Sequence, residues 1–362
     1  MENPGIRRIL SFWQRYSRSV AVTLISLCLM PVSCRTDGLS PGDSFVVASW
    51  NVENLFDAVS DGTEFDGFDP VRGGWNERLY HAKLTNTVRV IDELSSEGTA
   101  VLALQEIENR QVLSDLWDRL ADHRFRYGYM IDETGGPFHN AVLSRYEISY
   151  ARVHALSMPW AAPGRFILEL DIVVNSDVTL VLFVNHWHSR RGGEVETEPS
   201  RRLAAALVAR RVIERSGEDG IGILVVGDLN ANHDDYARAS GSYQTALMPV
   251  SGIDTYDRGG SLFLSGDPSD VQQYDAVVLY SPWKNGAGPG SYVYREEWNT
   301  IDHMLFGAGF GAGGVLELEE FRVVAEAFMV TASGAPRRWR SDRASGYSDH
   351  LPLVARIRLR GD

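Results

Sequence analysis

Short apolar runs recur along the chain, and six of them carry Asn, Asp, Glu or His at or just beyond one end. The runs FVVASWNV, AVLALQEI, NAVLSR, FILELDIVV, VTLVLFVNHW, GILVVGDLN, AVVLY, TIDHMLF and LPLVARIRL are rich in Val, Ile, Leu and Phe. Their length and composition are those of strands. Helical periodicity lies between them. In NERLYHAKLTNTVRVIDELSS, Leu79, Leu84, Val88, Ile91 and Leu94 share one face, and SRRLAAALVARRVIERSG is a second amphipathic stretch closed by a glycine. This alternation predicts α+β layers in which helices cover sheets. GAGFGAGGVLELEE and TASGAPRRWRSDRASG read as loops or insertions.

The first 34 residues are a different kind of sequence. Arg7, Arg8, Arg15 and Arg18 precede an apolar run from Val20 to Val32, which ends at PVSC. A basic segment, a short apolar segment and small residues before a processing point describe a secretory signal. The run falls short of the ~20 residues a spanning helix needs. Residues 1–34 resemble a lipoprotein signal with Cys34 as the lipid-bearing first mature residue, although Pro31 stands where such signals prefer an aliphatic residue. An uncleaved anchor and a soluble secreted protein remain alternatives. Residues 35–44 read as a tether and 45–362 as the folded domain. The expected location is extracytoplasmic, on a bacterial membrane or cell surface through the lipid.

Both cysteines, Cys28 and Cys34, fall in that leader, so the domain has no thiol or disulfide beyond the lipid candidate and stands on packing alone. Without the leader the chain keeps 31 basic and 47 acidic residues, a net charge of −16. Such a chain grips a polyanion only through a local basic patch or bound cations.

A single Asn or Asp after a strand is an ordinary turn residue. Strand ends of one sheet gather in one region, so several such residues can converge there. Asn51, Glu106, Asn140, His186, Asp228, Asn230, Asp302, Asp349 and His350 are those residues. Oxygen-rich side chains of this kind suit a hard divalent cation such as magnesium, which takes one or two carboxylates and substrate phosphate. Zinc is disfavoured, because no cysteine remains in the domain and no HExxH pair exists.

SWNVENLFD, LALQEIEN, HNAVLSR, NHWHSRRGG, VVGDLNANHDD, GSYVYREEWNTIDHMLF and GYSDHLPL occur in an order and spacing that resemble the endonuclease/exonuclease/phosphatase superfamily, over about Phe45 to Leu359. The resemblance implies a four-layer α/β/β/α sandwich with two packed, mainly antiparallel sheets and one active site at an edge. By the same resemblance Asn51 and Glu106 hold magnesium (manganese or calcium being possible substitutes), with Asp349 nearby and Glu53 as a weaker ligand. Asp228 activates the attacking water and Asn230 bonds a phosphate oxygen. Asp302 orients His350 against the phosphate, and His186 is the second histidine there.

Other residues keep two readings each. Asn140 either contacts substrate or braces loops. Arg165 is either a phosphate fork or an edge-strand charge. Arg190 and Arg191 are guides for an anionic substrate, with Gly192 and Gly193 letting the chain turn. His188 has no role in the resemblance. The run RRWRSDR from Arg337 is either a lip for a polyanion or a solvated loop. The favoured reading is a monomeric magnesium-dependent phosphodiesterase acting on DNA or RNA. A phosphatase or lipid-headgroup phosphodiesterase is the first alternative, and a non-catalytic surface-binding lipoprotein the second.

Overall fold

The computed structural model describes residues 38–96, 98–131, 136–156 and 165–361. The leader 1–34, Cys34 and the first part of the tether lie outside them. The described fold opens with β1 (Ser44–Leu55), α1 (Glu77–Ser96), β2 (Thr99–Ile107) and α2 (Arg110–Arg119). Four strands follow: β3 (Tyr127–Met130), β4 (His139–Ser144), β5 (Glu147–Ala155) and β6 (Phe166–Val173). Next come β7 (Thr179–His186), α3 (Glu194–Arg215), β8 (Ile221–Asp228) and the single turn α4 (Asp235–Arg238). Short strands β9 (Leu247–Pro249), β10 (Leu262–Ser265), β11 (Val278–Tyr280), β12 (Tyr292–Tyr294), β13 (Glu297–Asn299) and β14 (Asp302–Phe306) precede β15 (Leu316–Val323) and β16 (Leu353–Leu359).

One sheet runs β15-β16-β1-β2-β4-β3 and the other β5-β6-β7-β8-β14-β11-β10-β9, while β12 and β13 pair as a separate ribbon. In the first sheet only β1 and β2 are parallel, joined by a crossover through α1. In the second, β7 and β8 are parallel and joined through α3, and the β9–β10 and β10–β11 pairs are also parallel. A parallel pair needs such a crossover, because a hairpin cannot join two strand ends of the same sense.

Three apolar cores separate the layers. Val47, Val101 and Ile357 meet Leu170, Leu182 and Val226 between the two sheets. Trp50, Leu84, Ile91 and Leu116 lie between the first sheet and the helices α1 and α2. Phe183, Val225, Ala205 and Val208 lie between the second sheet and α3. Helix, sheet, sheet, helix is the four-layer α/β order expected. Alternate residues of β1 point into different cores, as the two-residue period of a strand requires.

Two expectations change. The segment expected to be a loop, GAGFGAGGVLELEE, ends in β15, an edge strand paired with β16. Glu317, Glu319 and Glu320 give it the polar look of a loop, and charge of that kind is what protects a sheet edge. The second helix starts at Glu194, earlier than SRRLAAAL suggested, with Pro199 inside it. Proline removes the donor for the carbonyl of Val195, which is exposed. The Arg201 guanidinium donates to the Glu194 carbonyl at 2.7 Å and the Thr197 hydroxyl to the Gly193 carbonyl at 2.6 Å, closing that turn in other ways.

Candidate active site

Strand ends from both sheets meet at one edge. β1 supplies Asn51 and Glu53, β2 Glu106, β7 His186, β8 Asp228 and β14 Asp302, and the segment before β16 supplies Asp349 and His350. The backbone turns sharply here. Glu53, Asn54, Glu106 and Asn230 have φ of 55°, 53°, 66° and 49°, a left-handed region that costs a non-glycine residue about 1–3 kcal/mol. The β1–β2 register shifts between Asn51 and Leu55, where these residues lie. At Gly227, with φ of 120°, a Cβ would stand 2.0 Å from the Asn185 carbonyl oxygen, so glycine alone lets β7 and β8 stay paired up to His186 and Asp228.

Asn51 is the hub. Its Nδ2 donates to Glu106 Oε1 at 3.0 Å and to Asp228 Oδ2 at 3.2 Å, while its Oδ1 accepts from the Glu53 amide at 3.0 Å. The second Glu106 oxygen accepts from the Asn54 amide at 2.7 Å. Asp228 Oδ1 accepts from the Asn230 amide at 2.9 Å. Its Oδ2 faces His186 Nε2 at 3.6 Å and His350 Nε2 at 3.9 Å, so both rings point their Nε2 at one carboxylate oxygen.

The two histidines are buried but differently charged. His350 Nδ1 bonds Asp302 Oδ2 at 2.7 Å, and the Ser291 hydroxyl donates to the same oxygen at 2.6 Å. Burial alone would lower the His350 pKa, but the Asp302 carboxylate, with Asp228 and Asp349, holds it well above the usual range. His186 lies on Phe138, ring centroids 5.2 Å apart and nearly parallel. Burial, with the charges of Arg165 and His350, holds it well below that range. The surroundings therefore favour the charged form of His350 and the neutral form of His186. Among the carboxylates, burial pushes Asp228 up to about 7, Glu53 also up to about 7, and Glu106 upward, the last two with help from Asp349.

Asp228, Asp302 and His350 also satisfy the spacing of a metal-binding trio. The Asp302 oxygen nearest His350 is already occupied by Ser291 and the ring, which makes it an orienting carboxylate. The resemblance gives the cation to Asn51, Glu106 and Asp349; each Glu106 oxygen and Asn51 Oδ1 already accepts one hydrogen bond within the cluster, so a cation there would share those oxygens, and Asp349 is partly exposed.

The remaining predicted residues sort by their contacts. Both Glu53 oxygens are engaged, one by the Arg338 guanidinium at 2.9 Å and the other by the Trp339 amide at 2.8 Å, so Glu53 pins the basic segment to the site. Asn140 donates to the Phe166 and Val184 carbonyls, each at 3.1 Å, and braces β4 against β6 and β7. Arg165 lies over Phe138 at 4.9 Å, and its buried Nη1 has no hydrogen-bond partner among the described residues. Burial lowers its pKa, opposed by the nearby Glu106 and Asp228. Arg190 is tied to Asp235 and donates to the Asn230 carbonyl at 2.9 Å, so it supports the Asn230 turn. Arg191 is exposed, and His188 Nδ1 sits 2.9 Å from the Ser189 carbonyl oxygen.

Four contributors escaped the sequence reading. Phe138 carries both His186 and Arg165, and Ser291 completes the Asp302 pair. Tyr292 packs on His350, ring centroids 4.7 Å apart. Lys83 is fully buried and donates to the Val52 and Tyr347 carbonyls at 3.1 and 3.2 Å. Burial pushes its pKa down to about 8 against the pull of Glu53, Asp349 and Glu106. A signal for Lys83 existed: it lies four residues after Leu79, on the apolar face of α1.

The profile described as the Endonuclease/Exonuclease/phosphatase family matches residues 46–247. In structure the chain is similar to TDP2 from Caenorhabditis elegans, with a TM-score of 0.52 and 17% identity over 88% of this chain and 75% of that one. An endonuclease/exonuclease/phosphatase family protein from Bacteroides thetaiotaomicron gives 0.53 and 15% over 87% and 95%. The mannosyl-6-phosphatase of Bacteroides thetaiotaomicron VPI-5482 gives 0.51 and 14% over 86% and 99%. No curated protein matches the chain in sequence. The profile spans more than half of the chain, and the chain therefore belongs to the endonuclease/exonuclease/phosphatase family, whose members are metal-dependent phosphoesterases.

Proposed function

We propose that the protein is a phosphodiesterase that uses a bound divalent cation and acts on nucleic acid. The observation that carries this reading is Asp228, which accepts from the Asn51 amide on an oxygen that the Nε2 atoms of two histidines also face. The oxygen donors Glu106, Asn51 and Asp349 fit a hard cation. Burial and then the charge of Asp349 raise Glu106, and a cation relieves both. Magnesium is the ion we assign, with manganese or calcium meeting the same donors. When bound, it neutralises phosphate oxygens and the charge developing on the leaving oxygen.

Asp228 takes a proton from the attacking water, the task of a carboxylate whose pKa is poised near the working pH. His350, kept protonated by Asp302, donates through Nε2 to a phosphate oxygen. His186 stays neutral and offers the second Nε2. One amide hydrogen of Asn230 goes to the Trp187 carbonyl at 3.1 Å, and the other serves a phosphate oxygen. The unpartnered Arg165 Nη1 supplies a fixed positive charge behind His186. Glu53 acts as an anchor for the basic lip rather than as a ligand.

The lip favours a polymer over a small ester. Arg338 is largely exposed and lies 3.9 Å from Asp349, and Arg337, Arg340 and Arg343 are exposed beside it. These arginines put positive charge beside the site of an acidic chain, with Asp342 pairing Arg340 and Arg343 and Glu53 pairing Arg338. The basic-then-apolar leader ending at Cys34 supports an extracytoplasmic, lipid-anchored location.

A substrate panel tests the proposal. The full chain is given plasmid DNA, RNA, a chromogenic diester, sphingomyelin and inositol phosphates, with magnesium or with chelator. Chelator-sensitive cleavage of DNA or RNA is expected. Turnover confined to a small ester would move the assignment to the phosphatase alternative. No chelator-sensitive turnover at all would contradict the hydrolase reading and leave the surface-binding one.

A further inference from the structure

A second group of carboxylates lies apart from the catalytic cluster. The loop between β1 and α1 reads DAVSDGTEFDGFD from Asp57 to Asp69. Asp61 and Glu64 from this loop meet Glu108, which follows β2, and one oxygen of each lies within 4.8 Å of the others. Glu108 is 2% exposed and Glu64 6%.

The pairing of these oxygens shows what is missing. Glu64 accepts the Asp61 amide at 2.6 Å and the Gly62 amide at 2.8 Å, which bends the loop around its carboxylate. Asp61 Oδ1 accepts the amide and hydroxyl of Thr63 at 2.9 and 2.7 Å. Glu108 Oε2 accepts the Asp57 amide at 2.7 Å and the Asn109 side chain at 3.3 Å. Glu108 Oε1 is buried and has no hydrogen-bond partner among the described residues. An acceptor in that position is costly to leave unsatisfied. Arg72, whose charge reaches Glu64, is drawn off by Asp69 at 2.5 Å and Asp66 at 3.9 Å.

We infer that Asp61, Glu64 and Glu108 bind a structural divalent cation of the calcium type, with Glu108 Oε1 as its buried ligand. Calcium takes carboxylate oxygens in flexible geometry and accepts waters for the rest, which suits one exposed and two buried carboxylates.

The consequence reaches the catalytic edge. Phe65 follows Glu64 directly, and its ring lies 5.7 Å from that of Phe138, which carries His186. A cation that fixes the loop therefore fixes the far side of the Phe138 wall. The inference does not depend on the chain being a hydrolase.

Calcium titration by calorimetry on the full-length Glu106→Gln variant tests it, since that change weakens the proposed catalytic cation site. One binding event is expected, with Kd on the order of 10⁻⁴ to 10⁻³ M or tighter. Adding Asp61→Asn or Glu108→Gln should weaken it at least about tenfold, as loss of one charged ligand demands. Asp61 is exposed, so its variant keeps the fold even if the Glu108 one does not, with circular dichroism as the control. Terbium luminescence excited through Trp75, whose Nε1 donates to the Asp57 carbonyl at 2.7 Å, should fall in parallel. Absence of calcium binding up to about 10 mM, beyond the weakest such sites, would overturn the inference. So would undiminished binding in Asp61→Asn.

Discussion

The two parallel strand pairs bring their residues to the site in different ways. β7 and β8 stay in register to their last residues, with His186 opposite Asp228, and Gly227 permits that close approach. β1 and β2 lose register after Asn51, and three residues with positive φ swing Glu106 and its neighbours out of the ladder. The regular pair fixes the distance between the Asp228 carboxylate and a histidine through backbone hydrogen bonds. The irregular pair crowds oxygens from several directions into one place, which a straight ladder cannot do, because alternate side chains leave it on opposite faces. Their crossovers differ in the same sense. The first begins with an acidic loop; the second begins with a turn in which Arg190 clasps Asp235. The first half collects negative charge, and the second places the carboxylate proposed as the proton acceptor.

The largest expected effect breaks the second half. Asp228→Asn removes the proposed base and should lower kcat by about 10²–10⁴-fold, measured on the substrate that the panel identifies, with little change in melting temperature. Trp187→Ala attacks the packing of the same half. Trp187 is fully buried, and its Nε1 donates to Asn185 Oδ1 at 2.9 Å. Denaturant unfolding should show a loss of about 3–5 kcal/mol.

The third test concerns pH. His350 has a folded pKa above its unfolded one, so its stabilisation is fully present below the unfolded value and is lost as pH rises through the folded value. Activity should therefore rise as Asp228 ionises near pH 7 and fall at the higher pH where His350 deprotonates. Asp302→Asn takes away the carboxylate that raises His350. The alkaline limb of the kcat profile should move to lower pH, while an unmoved limb would separate His350 from the reaction. The smallest effect is Arg338→Ala, which should raise KM for DNA severalfold, leave a small diester nearly unchanged, and reduce the salt slope of DNA binding by about one unit.

Much of this was legible in the strand-end pattern, because a strand that stops on Asn, Asp, Glu or His places that side chain at a sheet edge whatever the details of packing. Glu106 and His186 were visible for that reason. Arg190 looked like a substrate guide because a sequence shows its charge but not Asp235, far along the chain, that occupies it. Phe138 and Lys83 were hidden by the same limit: a ring before a strand and a lysine in a helix acquire meaning only when β7 and residues 347 and 339 fold against them. Edge strand β15 was masked by the charges that protect it.

The central claim is the division of labour between the halves, and magnesium dependence of turnover measures it most directly. Rates would be followed against magnesium concentration for the unaltered chain, Glu106→Gln and Asp228→Asn. Glu106→Gln should raise the half-saturating magnesium concentration at least about tenfold, whereas Asp228→Asn should lower kcat with that concentration nearly unchanged. If Asp228→Asn shifted the magnesium midpoint as far as Glu106→Gln does, Asp228 would be a ligand of the cation and the division drawn between the two strand pairs would be wrong.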